Sequence, residues 1–187
     1  MKKIPTLFAR DPDERRYVLN EVTPGCEWVA AGEGTPTRKY DGTCVMFDGT
    51  GWWARREVKP DKRTPEGFVE VDHDEVTGKT VGWEPVGQSS FAKFHAEALE
   101  HFAGDFAGET PPGTYELVGP KINGNPERRP RHALIRHAWA PAYKIEPRTF
   151  DNVREAVQDL HQGDGCEGVV FHHPDGRMAK IKARDFR

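Results

Sequence analysis

The sequence predicts an α+β fold built mainly from antiparallel hairpins, and three observations carry that prediction. Nineteen glycines and fifteen prolines cut the 187 residues into short runs. Runs with strand character outnumber helical ones. Turn strings containing Asp-Gly, DGTG at 48–51 and PDG at 174–176, each separate two such runs. A chain of this length holds one well-buried domain and is short for two independent catalytic ones, so 1–187 is read as a single domain.

The first hairpin is TCVMF-DGTG-WWARR, with Lys39 just ahead of its first strand. The segment from Pro60 to Gly87 is rich in Asp, Glu, Gly, Thr and Pro. Its GFVEV and KTVGW are weak strands, so 60–87 is expected to form an exposed lobe or substrate-facing loop. In SSFAKFHAEALEHF, Phe91, Phe94, Ala98 and Phe102 recur near the helical period behind Ser89 or Ser90 as a cap. TYELV is an apolar strand interrupted by Glu116. DNVREAVQDL sets Val153, Ala156, Val157 and Leu160 on one helical face behind Asp151 or Asn152. EGVVFHH-PDG-RMAKIK is a second hairpin, where Pro174 presets φ and Gly176 supplies a positive φ.

Composition narrows the function classes. A hydrophobic fraction of 36% and a charged fraction of 30% describe a soluble globular protein. No apolar run approaches the roughly 20 residues that span a bilayer, which argues against a membrane role. The apolar stretch in MKKIPTLFARDPDERR is too short for a signal peptide and is broken by Pro5, Arg10 and Asp11, so a cytoplasmic location is expected. Cys26, Cys44 and Cys166 are an odd set without CxxC spacing, which fits a reducing compartment and suggests neither a disulfide framework nor a zinc knuckle. Asp72-His73-Asp74 and His172-His173 put neighbours on opposite faces of a strand, against metal ligation. A net charge of -3 gives no global pull on nucleic acid, so such binding must come from local clusters. Two exist: Arg128, Arg129, Arg131 and Arg136, and Lys180, Lys182, Arg184 and Arg187. No protein partner can be inferred.

The second hairpin constrains the chemistry most. Strand alternation aims Lys180 and Lys182 the same way, with Ala179 and Ile181 on the other face. Glu167 begins the partner strand, so one carboxylate and two lysines line a groove suited to a phosphate and its metal ion. Lys39 attacks phosphorus only as the free amine, a form that burial and neighbouring cations favour. The Asp41-Gly42 turn is expected to present it from a loop. A carboxylate at Glu116 suits ribose hydroxyls.

In this order the residues resemble the covalent nucleotidyltransferase superfamily of nucleic-acid ligases and mRNA-capping enzymes. Its KxDG matches Lys39-Tyr40-Asp41-Gly42, its ribose-binding strand matches Tyr115-Glu116-Leu117-Val118-Gly119, its EGVV matches Glu167-Gly168-Val169-Val170, and its closing KxK matches Lys180-Ile181-Lys182. KYDGTCV, WARREVKP, YELVGPKINGNP, HALIRHAWA and the second hairpin look most like compact ATP-dependent RNA 5'-phosphate/3'-hydroxyl ligases, from about residue 28 onward. The resemblance implies an ATP-grasp-like nucleotidyltransferase fold of antiparallel sheets with flanking helices. With five residues after Lys182, no OB-fold domain is expected, which argues against capping and most DNA-ligase activities.

The resemblance also implies that Lys39 attacks the α-phosphorus of ATP to form lysyl-AMP. AMP then passes to an RNA 5'-phosphate, and a 3'-hydroxyl displaces it. Glu167 would hold Mg2+ (or Mn2+); Asp41, Gly42, Arg55, Glu116, Lys180 and Lys182 would bind ATP; Lys59, Arg136 and His137 would meet substrate or pyrophosphate. His132, His137 and Trp139 lie near where relatives stack on adenine, and none is singled out. Three alternatives stay open: DNA nick sealing or adenylyl transfer to another nucleic-acid end, a nucleotide- or RNA-binding module whose Lys39 is never covalent, and a structural β-rich domain with scattered surface lysines.

Overall fold

The computed structural model describes residues 2–75, 77–105 and 110–187, with backbone alone at 103–105. In chain order its elements begin with strands β1 (Phe8–Arg10) and β2 (Val18–Val22), the helical turn α1 (Glu27–Ala30) and strand β3 (Thr35–Lys39). Strands β4 (Thr43–Phe47), β5 (Trp52–Val58), β6 (Val69–Asp74) and β7 (Lys79–Pro85) follow, then helix α2 (Ala92–Asp105). The chain continues through β8 (Gly113–Val118), β9 (Ala133–Arg136), helix α3 (Phe150–Asp164), β10 (Gly168–His172) and β11 (Met178–Lys182). All pairings between these strands are antiparallel and helices are few, giving a mixed α/β fold. Among the described residues no helix is long and apolar enough to cross a membrane.

The chain divides into two compact units, one of Asp41–Trp139 with the first three residues, the other of Ile4–Tyr40 and Ala140–Arg187. The first unit holds a sheet in the order β6-β7-β5-β4-β8-β9. Its β4–β5 hairpin forms as the DGTG string requires. Asp48 Oδ1 accepts the Thr50 and Gly51 amides at 2.7 and 2.8 Å, and Oδ2 accepts Trp53 Nε1 at 2.7 Å. Those backbone bonds, led by Gly51, hold the Asp48 carboxyl well below the usual carboxylate range.

One sheet face carries Val45, Tyr115, Leu117 and Leu134 and buries them against Ala98, Phe102 and Ile122. Phe91 and Phe94 pack on that cluster, so the helical spacing read from the sequence is the spacing that docks α2. Ser89 directs its hydroxyl to the Val86 carbonyl at 2.8 Å. The segment 60–87 departs from the expected lobe in its second half. β7 lies between β5 and β6, with Val81, Trp83 and Glu84 buried, because cross-strand pairing overrides a loop-like composition. Residues 61–64 are exposed.

The second unit pairs β11-β10-β3 in one sheet and β1-β2 in another. Its core joins Val169, Phe171, Ala179 and Ile181 to Leu7, Phe8, Trp28, Val29, Val153 and Val157. Ala179 and Ile181 are fully buried, as the expected alternation demands. Full burial of Val153 and Val157 contributes about 1.5–3 kcal/mol each to docking α3. The α3 cap is Thr149, whose hydroxyl accepts the Asn152 amide at 3.3 Å; Asp151 and Asn152 already lie within the first turn. Strand β3 was not expected. Its Pro36 lacks an N–H, which is tolerated because β3 has only one neighbouring strand in the sheet, β10. Cys26, Cys44 and Cys166 are free thiols.

Candidate active site

In the second unit β10 runs between β3 and β11, and the register places both Lys39 and Lys182 opposite Gly168. The residue before it, Glu167, is buried, and its two oxygens are divided between the flanking lysines. Lys39 Nζ donates to Oε2 and Lys182 Nζ to Oε1, and the Arg184 guanidinium lies 3.5 Å from Oε1. Burial alone would raise the Glu167 carboxyl; Lys39 first, then Lys182, outweigh it and hold the group below its ordinary value. Lys180 shares the face of Lys182, two residues along β11, as expected.

The approach is close because residue 168 is glycine. A Cβ there would lie 2.1 Å from the Ile181 carbonyl oxygen and 2.7 Å from Lys182 Cα. Neighbouring bonds fix the strand ends. The Ala183 amide donates to the Glu167 carbonyl at 3.0 Å, and Asp185 accepts the Lys182 amide at 2.9 Å while pairing with Arg10 at 2.9 Å. Lys39 is the last residue of β3 and is therefore presented by a strand, correcting the expected loop. Its backbone is set by β10, a pairing the local sequence does not announce.

The first unit builds a second cluster around Glu116 on β8. Glu116 Oε1 accepts the Gly42 amide at 3.0 Å, and Oε2 lies 2.8 Å from His137 Nε2. The carboxylate only accepts, so Nε2 is the donor there, while Nδ1 lies 2.9 Å from the Thr114 hydroxyl, a group able to donate or accept. Gly42 has no room for a side chain either: a Cβ would lie 2.3 Å from the Leu117 carbonyl oxygen. The Asp41–Gly42 turn is gripped from the β8–β9 connection. Asn123 Nδ2 donates to Asp41 Oδ1 at 3.0 Å and to the Gly42 carbonyl at 2.8 Å, and Glu127 accepts the Asp41 amide at 2.9 Å.

Arg55 lies on the same sheet face as Glu116, opposite to the face α2 covers. Cys44 pairs with Glu116, and extending the Val45–Ala54 register by one residue sets Cys44 beside Arg55, so Arg55 and Glu116 are two strands, about 10 Å, apart. Among the described residues the buried Arg55 Nε has no hydrogen-bond partner, which leaves a donor unmet.

The remaining predicted residues are more scattered. Lys59 is exposed past the end of β5 and makes no side-chain bond among the described residues. Arg136 donates to the Pro112 carbonyl at 3.0 Å and lies over Trp139. Of the three residues near the adenine position, His132 is buried against α2, stacked on Phe94 and bonded to Glu97 at 2.7 Å; His137 serves Glu116; Trp139 is exposed. Sequence reasoning missed Thr114, Asn123 and Glu127. The one signal was the turn-rich NGNPE string, where Asn123 and Asn125 adopt left-handed φ of 48° and 62°.

No family model matches the chain. It is similar to an RNA ligase. RNA ligase 1 of Danio rerio is 28% identical over an alignment covering 70% of this chain and 45% of that protein, so the chain spans less than half of the relative's length. That similarity supports an RNA-ligase-like relationship at the coarsest level.

Among the described residues no three His, Cys, Asp or Glu side chains gather to hold a metal. Glu167 is a single carboxylate with both oxygens on cations. This fits a Mg2+ that keeps most of its waters and arrives with phosphate oxygens, and does not fit a resident ion in an all-protein cage.

Proposed function

We propose that the chain is an ATP-dependent RNA ligase of the covalent lysine nucleotidyltransferase type, with the nucleotidyltransferase fold spread over 1–187. The observation that carries this reading is the Lys39–Glu167–Lys182 arrangement: a lysine on the rim of a buried carboxylate, with further cations aimed at the same face. Similarity to an RNA ligase supports the choice of acceptor.

In the first step the Lys39 amine attacks the α-phosphorus of ATP; a P–N bond forms as the nitrogen releases a proton to water, the bond to the bridging oxygen breaks, and pyrophosphate leaves. Lys180 and Lys182 offset the negative charge that builds on the phosphoryl oxygens, and alignment of the attacking amine supplies much of the rate. Mg2+, bound with the nucleotide and touching Glu167, would add Lewis-acid stabilisation. Glu116 has lone pairs left after the Gly42 and His137 bonds and accepts ribose hydroxyls. Arg55 meets a phosphate of substrate or nucleotide. The adenylyl group then passes to an RNA 5'-phosphate oxygen, and attack of a 3'-hydroxyl on that phosphate seals the strand and releases AMP.

The test is intact mass after incubating the pure chain with ATP and Mg2+, beside Lys39→Ala. The parent should gain one adenylyl group and the variant none. An adduct on Lys39→Ala would move the nucleophile elsewhere. A parent that is neither purified with the adduct nor acquires it from any nucleotide would sink the enzymatic reading.

A further inference from the structure

Strand β11 carries Lys180 and Lys182 and is the outer strand of its sheet, with β10 on one side. An outer strand presents a row of amides and carbonyls along its other side. Here that side is taken by residues 5–11, a segment ahead of the ligase-like motifs, which begin near residue 28. Thr6 bridges Lys180 in parallel: the Lys180 amide donates to the Pro5 carbonyl at 2.9 Å, and the Leu7 amide donates to the Lys180 carbonyl at 2.7 Å. Two residues on, the Lys182 amide donates to Asp185 Oδ2 at 2.9 Å, and Oδ1 of the same carboxylate pairs with the Arg10 guanidinium at 2.9 Å. Both lysines are thus tied through their backbone to the N-terminal segment, Lys180 directly and Lys182 through one carboxylate.

The segment is itself pinned between these contacts. Leu7 and Phe8 are buried, and the Phe8 ring meets Phe150 and Phe186 edge-on, with centroids 4.9 and 6.3 Å away. Arg10 is oriented by the Arg16 carbonyl, to which it donates at 2.8 Å, and by the Thr6 hydroxyl at 3.4 Å. Asp185 is buried, and a buried carboxylate is stable only with partners; it takes one amide and one cation. The place of β11 decides where the Lys182 amine meets Glu167, since Lys182 and Gly168 pair directly. A shift of about 1 Å in a reacting constellation is enough to cost about 100-fold in rate.

We infer that Asp185 is a positioning residue for Lys182 and that Arg10 acts through it, so that residues 5–11 set the placement of both closing lysines for lysine adenylylation. The role in adenylylation rests on the ligase reading. The clamp on β11 stands on the backbone bonds alone.

Single-turnover adenylylation of the full chain, followed by mass over a range of ATP, tests this in a cycle of Arg10→Ala, Asp185→Ala and the double variant. Asp185→Ala should slow the step about tenfold and Arg10→Ala less, with half-saturating ATP little changed, because cations aimed at charge that develops in the transition state act on the rate. The double variant should be no slower than Asp185→Ala, since Arg10 acts through that carboxylate. Asp185→Asn, which keeps an oxygen for the Lys182 amide, should recover most of the rate. Melting scans report folding; a merely structural role would lower the melting temperature and leave the rate of the folded fraction unchanged. If Asp185→Ala does not fold, Arg10→Ala, whose side chain is 36% exposed, carries the test. Unchanged rates in folded variants, additive losses, or no recovery with Asp185→Asn overturn the proposal. Hydrogen exchange at the Lys182 amide, expected to quicken in Arg10→Ala and Asp185→Ala, separates the two readings. A parent that forms no adduct removes the ligase and the positioning role with it and leaves the clamp to be read by exchange, whereas normal adenylylation with unaffected variants removes only this inference.

Discussion

At position 168 only a hydrogen fits against the Ile181 carbonyl oxygen, and that fit lets Glu167 lie between two lysines. Gly168→Ala should push β11 away, cost about 1–3 kcal/mol and slow adenylylation, read by melting and by mass. A variant with both properties intact would show that the crowding has another outlet. Asn123 offers a cleaner separation of stability from alignment. Asn123→Gly relieves a left-handed φ of 48° yet deletes both bonds to the Asp41–Gly42 turn. The melting temperature should hold or rise, while the adenylylation rate falls about tenfold with little change in KM for ATP. Equal losses in both would make Asn123 merely structural. This residue also marks where reading a sequence stops. Lys180 and Lys182 were placed correctly because strand alternation is local, whereas Asn123 reaches a turn 81 residues earlier, and no spacing rule encodes that contact.

Among the elements, α3 is the clearest case of periodicity deciding structure. Val153 and Val157 lie where the 3.6-residue repeat sets them. The cap is displaced to Thr149, since a hydroxyl two positions upstream of Asp151 meets the free Asn152 amide. Thr149→Ala should cost about 1 kcal/mol, seen as a lowered midpoint in urea with an unchanged slope, and no loss would mean water caps the helix equally well. Strand β3 was illegible for the opposite reason: TPTRK has little strand propensity, and its geometry comes from β10. β7 was half legible, its KTVGW string being apolar enough to suggest a strand but set in a segment whose composition reads as loop.

At the scale of the molecule, acid should unfold the chain for an identifiable reason. His95 is buried on α2 against the Trp52 ring, its Nε2 has no hydrogen-bond partner among the described residues, and burial pushes its imidazole from 6.5 down to about 4. The folded protein keeps this ring neutral while the unfolded chain protonates it, so stability is full above about pH 6.5 and declines as pH falls toward 4, by at most about 3 kcal/mol. His95→Phe should remove that part of the decline; parallel stability curves for parent and variant across this window would clear His95. Glu167 acts lower. Its depressed carboxyl contributes stability above the ordinary glutamate value that is lost as pH drops through its folded value.

Lys39 and Glu167 are separated by 128 positions, yet they meet on adjacent strands of one small sheet. On the ribosome, Lys39 emerges before β10, with the whole of Asp41–Trp139 made in between. The amine therefore does not meet Glu167 until that intervening unit has been made. A nascent chain stalled before Glu167 displays Lys39 without the carboxylate that pairs with it in the fold, so on the proposed function it would be idle toward nucleotide.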